Sequence, residues 1–287
     1  MLRKLVVLKI GIAMACLYIA CKSPVVEQPK LGNLGGGIPV VENYGFETTP
    51  VWQDEFDYKG EPDPKKWGYD LGGNGWGNKE SQTYTNDRAN SRVEDGKLVI
   101  EAKLTNGSYT SARLVTRKKA DFTYGKFVIR AKIPFGRGTW PAIWMLATDQ
   151  NYGKELWPDN GEIDIMEHVG YDQNMINANI HTLAYNHSIG TNKGSKLLVP
   201  AAVATFHDYS CEWTPNEVKL LVDDTTIFTF RKATGADYDK WPFNKPFHLL
   251  LNIAVGGTWG GANGIDDSIF PQKMEVEYVR IYALKKL

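Results

Sequence analysis

The sequence has few cysteines and no excess of charge of either sign. Three cysteines in 287 residues cannot crosslink a chain of this length, which excludes a disulfide-stabilised scaffold. Lysine and arginine number 33, as do aspartate and glutamate, so there is no basic excess of the kind that binds nucleic acid. With 43% hydrophobic residues the composition also excludes a disordered chain. We therefore expect a folded protein that binds no nucleic acid.

Several catalytic and cofactor-binding motifs are also absent. The chain contains no Gly-x-Ser-x-Gly, the motif of serine esterases, and no His-Glu-x-x-His or Cys-x-x-Cys, which are common zinc motifs. Its glycine-rich runs match neither the phosphate-binding loop nor the dinucleotide-binding pattern. A serine esterase and a zinc enzyme are therefore disfavoured, and we expect no cofactor for catalysis.

The N-terminal segment has the pattern of an export signal. Residues 1–20 begin with a basic region and continue with an apolar stretch that is short for a membrane span. Cys21 follows a small residue at the end of this stretch and resembles the lipobox cysteine of bacterial lipoproteins, which becomes the lipidated N terminus. Cys16 is a weaker alternative, and a plain secretory signal is another. We expect an exported lipoprotein at the outer membrane or cell surface, or else a secreted protein.

The segment that follows has the composition of a linker. Residues 21–41 are rich in Pro, Gly, Lys and Val, which predicts a flexible, lipid-anchored tether in front of a domain at residues 42–287. Loss of residues 1–20 removes three basic residues and no acidic ones. The mature chain then has 30 basic and 33 acidic residues and a formal net charge of −3.

The composition and periodicity of residues 42–287 favour a single all-β domain. Aromatic residues make up 12% of the chain, and 28 glycines and 14 prolines supply many turns. The only candidate helix lies near residues 193–204 and lacks good caps. Without an internal repeat or a second change of composition, we expect one large sandwich or barrel. Apolar runs and alternation predict strands at Lys97–Ala102, Phe127–Ile133, Val218–Val222, Ile227–Phe230, Phe247–Val255 and Met274–Ala283.

Three carboxylates lie close together in one of the apolar runs. Glu162 and Asp164 alternate with isoleucines, so a regular strand places both carboxylates on one face. Glu167 has the opposite parity, and one extra residue, a β-bulge near Ile165–Met166, brings it back to that face. Like charges held together raise at least one pKa, and glycoside hydrolysis needs one ionised and one protonated carboxyl group. The alternatives are a solvated edge strand and a calcium site, the latter disfavoured by the alternating apolar residues.

Aromatic side chains near these carboxylates support a carbohydrate substrate, because flat rings suit the apolar faces of sugars. Trp140 and Trp144 are four residues apart and share a strand face, and Trp157 precedes Glu162 by five residues. Trp76 and Trp259 lie in glycine-rich loops. A single tryptophan more often fills the core, and we assign Trp140 or Trp144 to the core before either loop tryptophan.

The six residues Glu162–Glu167 resemble the active-site signature of glycoside hydrolase family 16 in its bulged, laminarinase-like form. This resemblance implies a β-jelly-roll sandwich, as in concanavalin A, with an open cleft on its concave face. It extends over nearly all of Val51–Tyr282. The other similar stretches are Trp52–Phe56, Asn90–Ala102, Tyr124–Phe127, Trp140–Leu146, Phe206–Pro215, Asn252–Gly264 and Phe270–Tyr282.

The resemblance also implies roles for single residues. Glu162 corresponds to the nucleophile, Glu167 to the general acid/base and Asp164 to an assisting carboxylate. A retaining mechanism then predicts carboxyl groups roughly 5–5.5 Å apart. The implied substrate-binding residues are Asn74, Trp76, Glu80, Trp140, Trp144, Trp157, His181 and Trp259. A structural calcium ion is implied at the backbone carbonyls of Glu55 and Gly96 and the side chain of Glu277.

The implied substrate is β-1,3-glucan or mixed-linkage β-1,3/1,4-glucan. The loops at residues 74–84 and 256–264 are most similar to those of enzymes that act on these glucans, and they lack the basic cluster expected for sulfated polysaccharides. We expect a monomeric, endo-acting retaining hydrolase whose only contact with a membrane is its lipid anchor. The alternatives are a non-catalytic glucan-binding lipoprotein on the same fold and a transglycosylase with the same three carboxylates.

Overall fold

Two large β-sheets pack face to face and enclose one hydrophobic core. The computed structural model describes residues 42–150 and 157–287. The predicted signal peptide at residues 1–20, the lipidation site Cys21 and the tether at residues 21–41 lie outside the described residues. Residues 42–287 form one compact unit.

The described residues contain no α-helix, only β-strands and three short 3-10 turns at Gly75–Gly77, His187–Ile189 and Asp267–Ile269. The ten-stranded sheet contains β17 (Thr225–Arg231), β16 (Glu217–Val222), β15 (His207–Trp213), β10 (Gly125–Lys132), β19 (Gln272–Tyr282), β6 (Lys97–Thr105), β7 (Ser108–Ser111) and β4 (Gln82–Tyr84) in this spatial order, with β2 (Trp52–Asp54) beside β19 and β5 (Ser91–Glu94) beside β6. The eight-stranded sheet contains β14 (Lys193–Leu198), β13 (Met175–His181), β12 (Glu162–Glu167), β11 (Thr139–Ala147), β18 (Phe247–Val255), β8 (Arg113–Val115) and β3 (Gly68–Tyr69), with β9 (Asp121–Phe122) beside β18. A separate pair joins β1 (Tyr44–Phe46) to β20 (Leu284–Lys286).

The core forms between the inward faces of the two sheets. In β10 buried and half-buried residues alternate, and Phe127 and Ile129 point into the core, as the sequence pattern predicts. Every residue of β18 is buried, which explains its nearly continuous apolar sequence. The predicted strands are thus present, and the all-β prediction is confirmed.

Two local predictions differ from the structure. The candidate helix at residues 193–204 is wrong: Lys193–Leu198 is the edge strand β14, which pairs with β13 on one side. Its side chains are almost all exposed, so no apolar alternation reveals it. The predicted strands Val218–Val222 and Ile227–Phe230 leave four residues between them, but β17 begins at Thr225, so the turn has only two residues, Asp223 and Asp224. Both have positive φ, 46° and 63°, as a tight hairpin turn requires.

Among the described residues, no helix is both long enough and apolar enough to cross a membrane.

Candidate active site

The predicted bulge in β12 is present and brings the three carboxylates to one cleft. On the β11 side, Ile143 lies opposite Met166 and Trp144 lies opposite Asp164, so Ile165 has no partner. On the β13 side, the two-residue step from Asn179 to Asn177 matches the three-residue step from Asp164 to Glu167. The extra residue restores the parity of Glu167. The isoleucines and the methionine of the strand are fully buried in the core.

The cleft extends to both sides of the carboxylates. A first cavity, of about 390 Å³, contains the three carboxylates together with Trp76, Trp140, Trp144 and Trp157. A second cavity, of about 380 Å³, shares Glu162 and Glu167 with the first and is lined on its far side by Asn177, Asn179, His181 and Trp259. A polymer that lies along both cavities therefore presents an internal bond to the carboxylates.

Glu162 lies in an environment that disfavours its charge. Its Oε2 accepts a hydrogen bond of 2.8 Å from the indole Nε1 of Trp157. Burial, together with the nearby charge of Asp164, raises the pKa of Glu162 to about 8, although the indole hydrogen bond opposes this shift.

Glu167 is held at both of its oxygens. Oε1 accepts a hydrogen bond of 3.1 Å from the indole Nε1 of Trp140, and Oε2 accepts one of 3.2 Å from Nδ2 of Asn179. Burial and the charge of Glu162 raise the pKa of Glu167 to about 7. Both glutamates therefore titrate near neutral pH, where such a group can donate or accept a proton.

Asp164 lies deepest of the three. Only 2% of its surface is exposed, and burial and the charge of Glu167 raise its pKa well above the usual value. Its Oδ2 lies 3.3 Å from Nε2 of His181, which is also 4.0 Å from Oε1 of Glu162. The structure thus places His181 beside the carboxylates, on the neighbouring strand β13.

All five tryptophans that the resemblance implies as substrate-binding residues line the cleft. Trp140 and Trp144 are half-buried there, so only the ranking that placed them in the core before the loop tryptophans is wrong. The parity of β11 places both on one face, but only the pairing with β12 and β18 decides that this face is the cleft. Trp76 and Trp259 line the first and second cavities, respectively. The buried core tryptophans are Trp67, Trp213 and Trp241.

The loop before β4 contributes Glu80 but not Asn74. Glu80 lines the first cavity and accepts hydrogen bonds from Asn78 and Gln82, of 3.1 and 2.7 Å. Asn74 precedes the 3-10 turn and does not line either cavity, whereas Asn78 lines both. Between the two asparagines the backbone is left-handed at Trp76, with φ of 48°.

Several cleft residues were missed by the sequence analysis. The guanidinium Cζ of Arg113 lies 4.7 Å from the ring centroid of Trp76 and 4.6 Å from that of Trp144. His187 lies against Trp157, with 4.9 Å between ring centroids, and lines both cavities. No local motif could identify either residue, because each reaches the cleft through contacts with distant segments.

The residues of the implied calcium site lie near one another but are differently engaged. Along β19 the neighbouring strand changes from β6 to β2 around Glu277, which brings Gly96 and Glu55 to this region. The Glu277 carboxylate, however, accepts a hydrogen bond of 2.7 Å from Nε of Arg130. A guanidinium at the only side-chain ligand of the set disfavours a calcium ion there, so these residues do not fit the ion.

Known proteins of one family are similar to this chain in sequence and in fold. The model of the Glycosyl hydrolases family 16 matches residues 78–280. A beta-glucanase of Rhodothermus marinus is 55% identical over 240 residues, which cover 81% of this chain and 84% of that protein. The crystal structure of the laminarinase from Rhodothermus marinus superposes with a TM-score of 0.81 at 53% identity, over 84% of this chain and 99% of that chain. A variant of a non-specific endo-β-1,3(4)-glucanase, co-crystallised with 1,3-β-D-cellotriosyl-glucose, has a TM-score of 0.79 at 42% identity, over 86% of this chain and 98% of that chain.

Proposed function

The chain belongs to the Glycosyl hydrolases family 16, and from this premise we propose that it cleaves β-1,3-glucan, mixed-linkage β-1,3/1,4-glucan or both at internal bonds. It is an all-β jelly-roll glycoside hydrolase, as the sequence predicted. The substrate class is supported by the names of its relatives and by the glucan oligosaccharide present in one similar structure. The extension of the cleft to both sides of the carboxylates supports the endo mode.

The proposed reaction is a double displacement. The reactive form of the pair has its proton on Glu167: in that form the Glu162 carboxylate attacks the anomeric carbon, and Glu167 gives its proton to the oxygen of the leaving sugar as the glycosidic bond breaks. Water then attacks the glycosyl-enzyme ester, Glu167 takes a proton from that water, and Glu162 is released as a carboxylate. Asp164 and His181 hold Glu162 in position from its buried side.

The observation that carries this proposal is the distinct surroundings of the two glutamates on one face of β12. No donor among the described residues hydrogen-bonds to Oε1 of Glu162, which lies 4.0 Å from Nε2 of His181, whereas both oxygens of Glu167 accept hydrogen bonds. An oxygen that must form a covalent bond to carbon needs such freedom. A group that only transfers a proton benefits from being held in place.

Kinetics with two kinds of substrate test these roles. We expect Glu162→Gln to abolish turnover of laminarin and of an aryl glycoside with a good leaving group, because both need the nucleophile. Glu167→Gln should abolish turnover of laminarin but still release the activated aryl group in an initial burst of about one equivalent, because that step needs no proton, before slow hydrolysis of the glycosyl-enzyme limits turnover. Equal losses on both substrates for the two variants would contradict the assignment.

Product analysis tests the substrate and the rival functions. Laminarin, mixed-linkage glucan, cellulose and agar are incubated with the enzyme, and the size and anomeric form of the first products are followed by NMR. Short oligosaccharides with a retained β-anomer from the first two substrates are expected. Binding without product release would indicate a glucan-binding protein, and products longer than the substrate would indicate a transglycosylase.

The cellular location is a separate part of the proposal. A basic start, an apolar stretch and Cys21 support an exported lipoprotein. Cys21→Ala should move the protein from the membrane fraction to the soluble fraction, whereas Cys16→Ala should leave it membrane-bound. Membrane attachment of the Cys21→Ala protein would contradict a lipid anchor at this residue.

A further inference from the structure

The side of the cleft that holds the proposed nucleophile contains a set of metal-ligating atoms. Glu162, Asp164 and His181 each direct one ligand atom into a space where these atoms lie within 4.8 Å of one another. It is the one such group found among the described residues. Two carboxylate oxygens and an imidazole nitrogen form a mixed donor set, which suits zinc better than the hard cations calcium and magnesium.

The distances fit a tetrahedral ion. Nε2 of His181 lies 3.3 Å from Oδ2 of Asp164 and 4.0 Å from Oε1 of Glu162. Ligand atoms that bind one tetrahedral zinc ion at about 2.0–2.1 Å lie roughly 3.3 Å apart. The histidine–aspartate edge already has this length, the histidine–glutamate edge is 0.7 Å longer, and the aspartate–glutamate edge is no longer than 4.8 Å.

A second observation also indicates a ligand at this place. Oδ2 of Asp164 accepts no hydrogen bond from the described residues, although 98% of the residue is removed from solvent and Nε2 of His181 lies 3.3 Å away. A buried carboxylate oxygen without a hydrogen bond is costly. The hydrogen bond from Trp157 occupies Oε2 of Glu162 and leaves Oε1 facing His181. Both oxygens of Glu167 are occupied, so Glu167 does not belong to the set.

We infer that the cleft binds a zinc ion, or a divalent transition metal of similar chemistry, through Glu162, Asp164 and His181. The second cavity opens this place to solvent. The fourth ligand is either a water molecule or His187, whose ring centroid lies 5.2 Å from that of His181. The zinc motifs are absent from the sequence because these ligands come from two paired strands, β12 and β13. Bound zinc occupies the free oxygen of Glu162, so it inhibits hydrolysis in competition with glucan; this consequence, unlike the binding itself, rests on the proposed function.

Calorimetric titration with zinc chloride alone tests the site. The full chain carries the substitutions Cys16→Ala and Cys21→Ala, because thiolates bind zinc, whereas Cys211 is buried and stays unchanged. We expect one zinc ion per chain and at least about tenfold weaker binding after His181→Asn or after Glu162→Gln. The matched controls are Glu167→Gln and His207→Asn, which should bind as the parent does. His207 forms the surface pair with Asp223, with 2.5 Å between Nδ1 and Oδ2.

A cooperative thermal unfolding transition shows that each variant is folded before titration. If His181→Asn does not fold, the titration of Glu162→Gln alone tests the site. Zinc binding that neither substitution weakens, or no binding by the parent chain, would overturn the inference. Inhibition is measured separately: zinc should slow laminarin hydrolysis, and the inhibition should be stronger at lower laminarin concentration. A chain that binds zinc but hydrolyses no glucan would refute the proposed function and leave the metal site intact.

Discussion

The indole Nε1 of Trp157 lies 2.8 Å from Oε2 of Glu162 and donates a hydrogen bond to it. This contact crosses from the segment before β12 to the first residue of the strand. It stabilises the ionised form of a carboxylate whose pKa is otherwise raised by burial and by Asp164. The tryptophan thus does more than present a flat surface to a sugar: it helps to keep the proposed nucleophile charged.

Replacement of Trp157 by phenylalanine removes that donor and keeps a flat ring. The pKa of Glu162 should rise further, by up to about one unit for one lost hydrogen bond. The value of kcat/KM should fall up to about tenfold on the acid side of the pH profile and approach the wild-type value on the alkaline side, where Glu162 is ionised in both enzymes. The measurement is the ratio of variant to wild-type kcat/KM between pH 5 and pH 9.

Trp259→Phe is the matched control for this prediction. Trp259 also lines the cleft, but its indole is not a donor to either glutamate in the described part of the chain. Its substitution should lower kcat/KM by the same factor at every pH. A ratio for Trp157→Phe that is equally constant with pH would contradict a role in the ionisation of Glu162.

The raised pKa of Glu162 also predicts that this residue destabilises the folded protein at alkaline pH. Its pKa is about 8 in the folded state, against about 4.3 in the unfolded chain, so the folded state retains a proton that the unfolded state loses. The stabilising effect of that proton is complete below the unfolded pKa and is lost as the pH rises through the folded pKa. Glu162→Gln should therefore raise the Tm at pH 9 by several degrees and leave it nearly unchanged at pH 4.

Glu212→Gln should have the opposite effect. Burial raises the pKa of Glu212, but hydrogen bonds from Lys219 and Lys126 and their positive charges outweigh this effect, so the pKa lies below its usual value. Its stabilising effect is present above the unfolded pKa, so Glu212→Gln should lower the Tm at neutral and alkaline pH. Differential scanning calorimetry of both variants at several pH values checks the two signs. A lower Tm for Glu162→Gln at pH 9 would contradict the raised pKa.

The sequence predicted the features of the site that depend on residues close together in the chain, but not those that depend on the pairing of distant strands. Glu162, Asp164 and Glu167 could be placed on one face because strand parity is a local property and one bulge was the simplest repair. Which face of β11 meets the cleft depends on its pairing with β12 and β18, so Trp140 and Trp144 could not be assigned from spacing alone.

The edge strand β14 and the position of Arg113 in the cleft could not be predicted from local sequence patterns. Lys193–Leu198 forms a strand because β13 offers it an unpaired edge, whereas its exposed side chains have no apolar period. Arg113 enters the cleft because β8 pairs with β18, at a sequence separation of more than a hundred residues. Such placement depends on tertiary pairing, which no window of sequence contains.

Asp70 should control glucan binding although it does not line either cavity. Its Oδ2 lies 3.3 Å from Nε of Arg113, and its Oδ1 forms an ion pair with Arg117. Asp70→Asn should loosen Arg113 from Trp76 and Trp144, and loss of about 1 kcal/mol of cation–π contact raises KM about fivefold. The turnover number should change little, since these groups lie away from the reacting bond.

Steady-state kinetics on laminarin check this effect, with Glu94→Gln as the matched control. Glu94 pairs with Arg92 on the ten-stranded sheet, at 2.8 Å, and its loss should leave KM unchanged. A fall in kcat that equals the rise in KM for Asp70→Asn, or an effect of the same size in the control, would contradict a specific role in holding Arg113.

The hydrogen bond from Arg130 to Glu277 leads to a prediction of how the protein responds to calcium. Its guanidinium binds Glu277 and lies 3.5 Å from Asp208, so a cation already neutralises the carboxylate that a calcium ion would need. We expect neither EDTA nor millimolar calcium chloride to change the Tm of the wild-type protein, because a ligand stabilises only the state that binds it. Arg130→Gln frees Glu277 beside the carbonyls of Glu55 and Gly96, and its Tm should then rise with calcium but not with magnesium. A fall in the wild-type Tm on addition of EDTA would show that the ion binds in spite of Arg130.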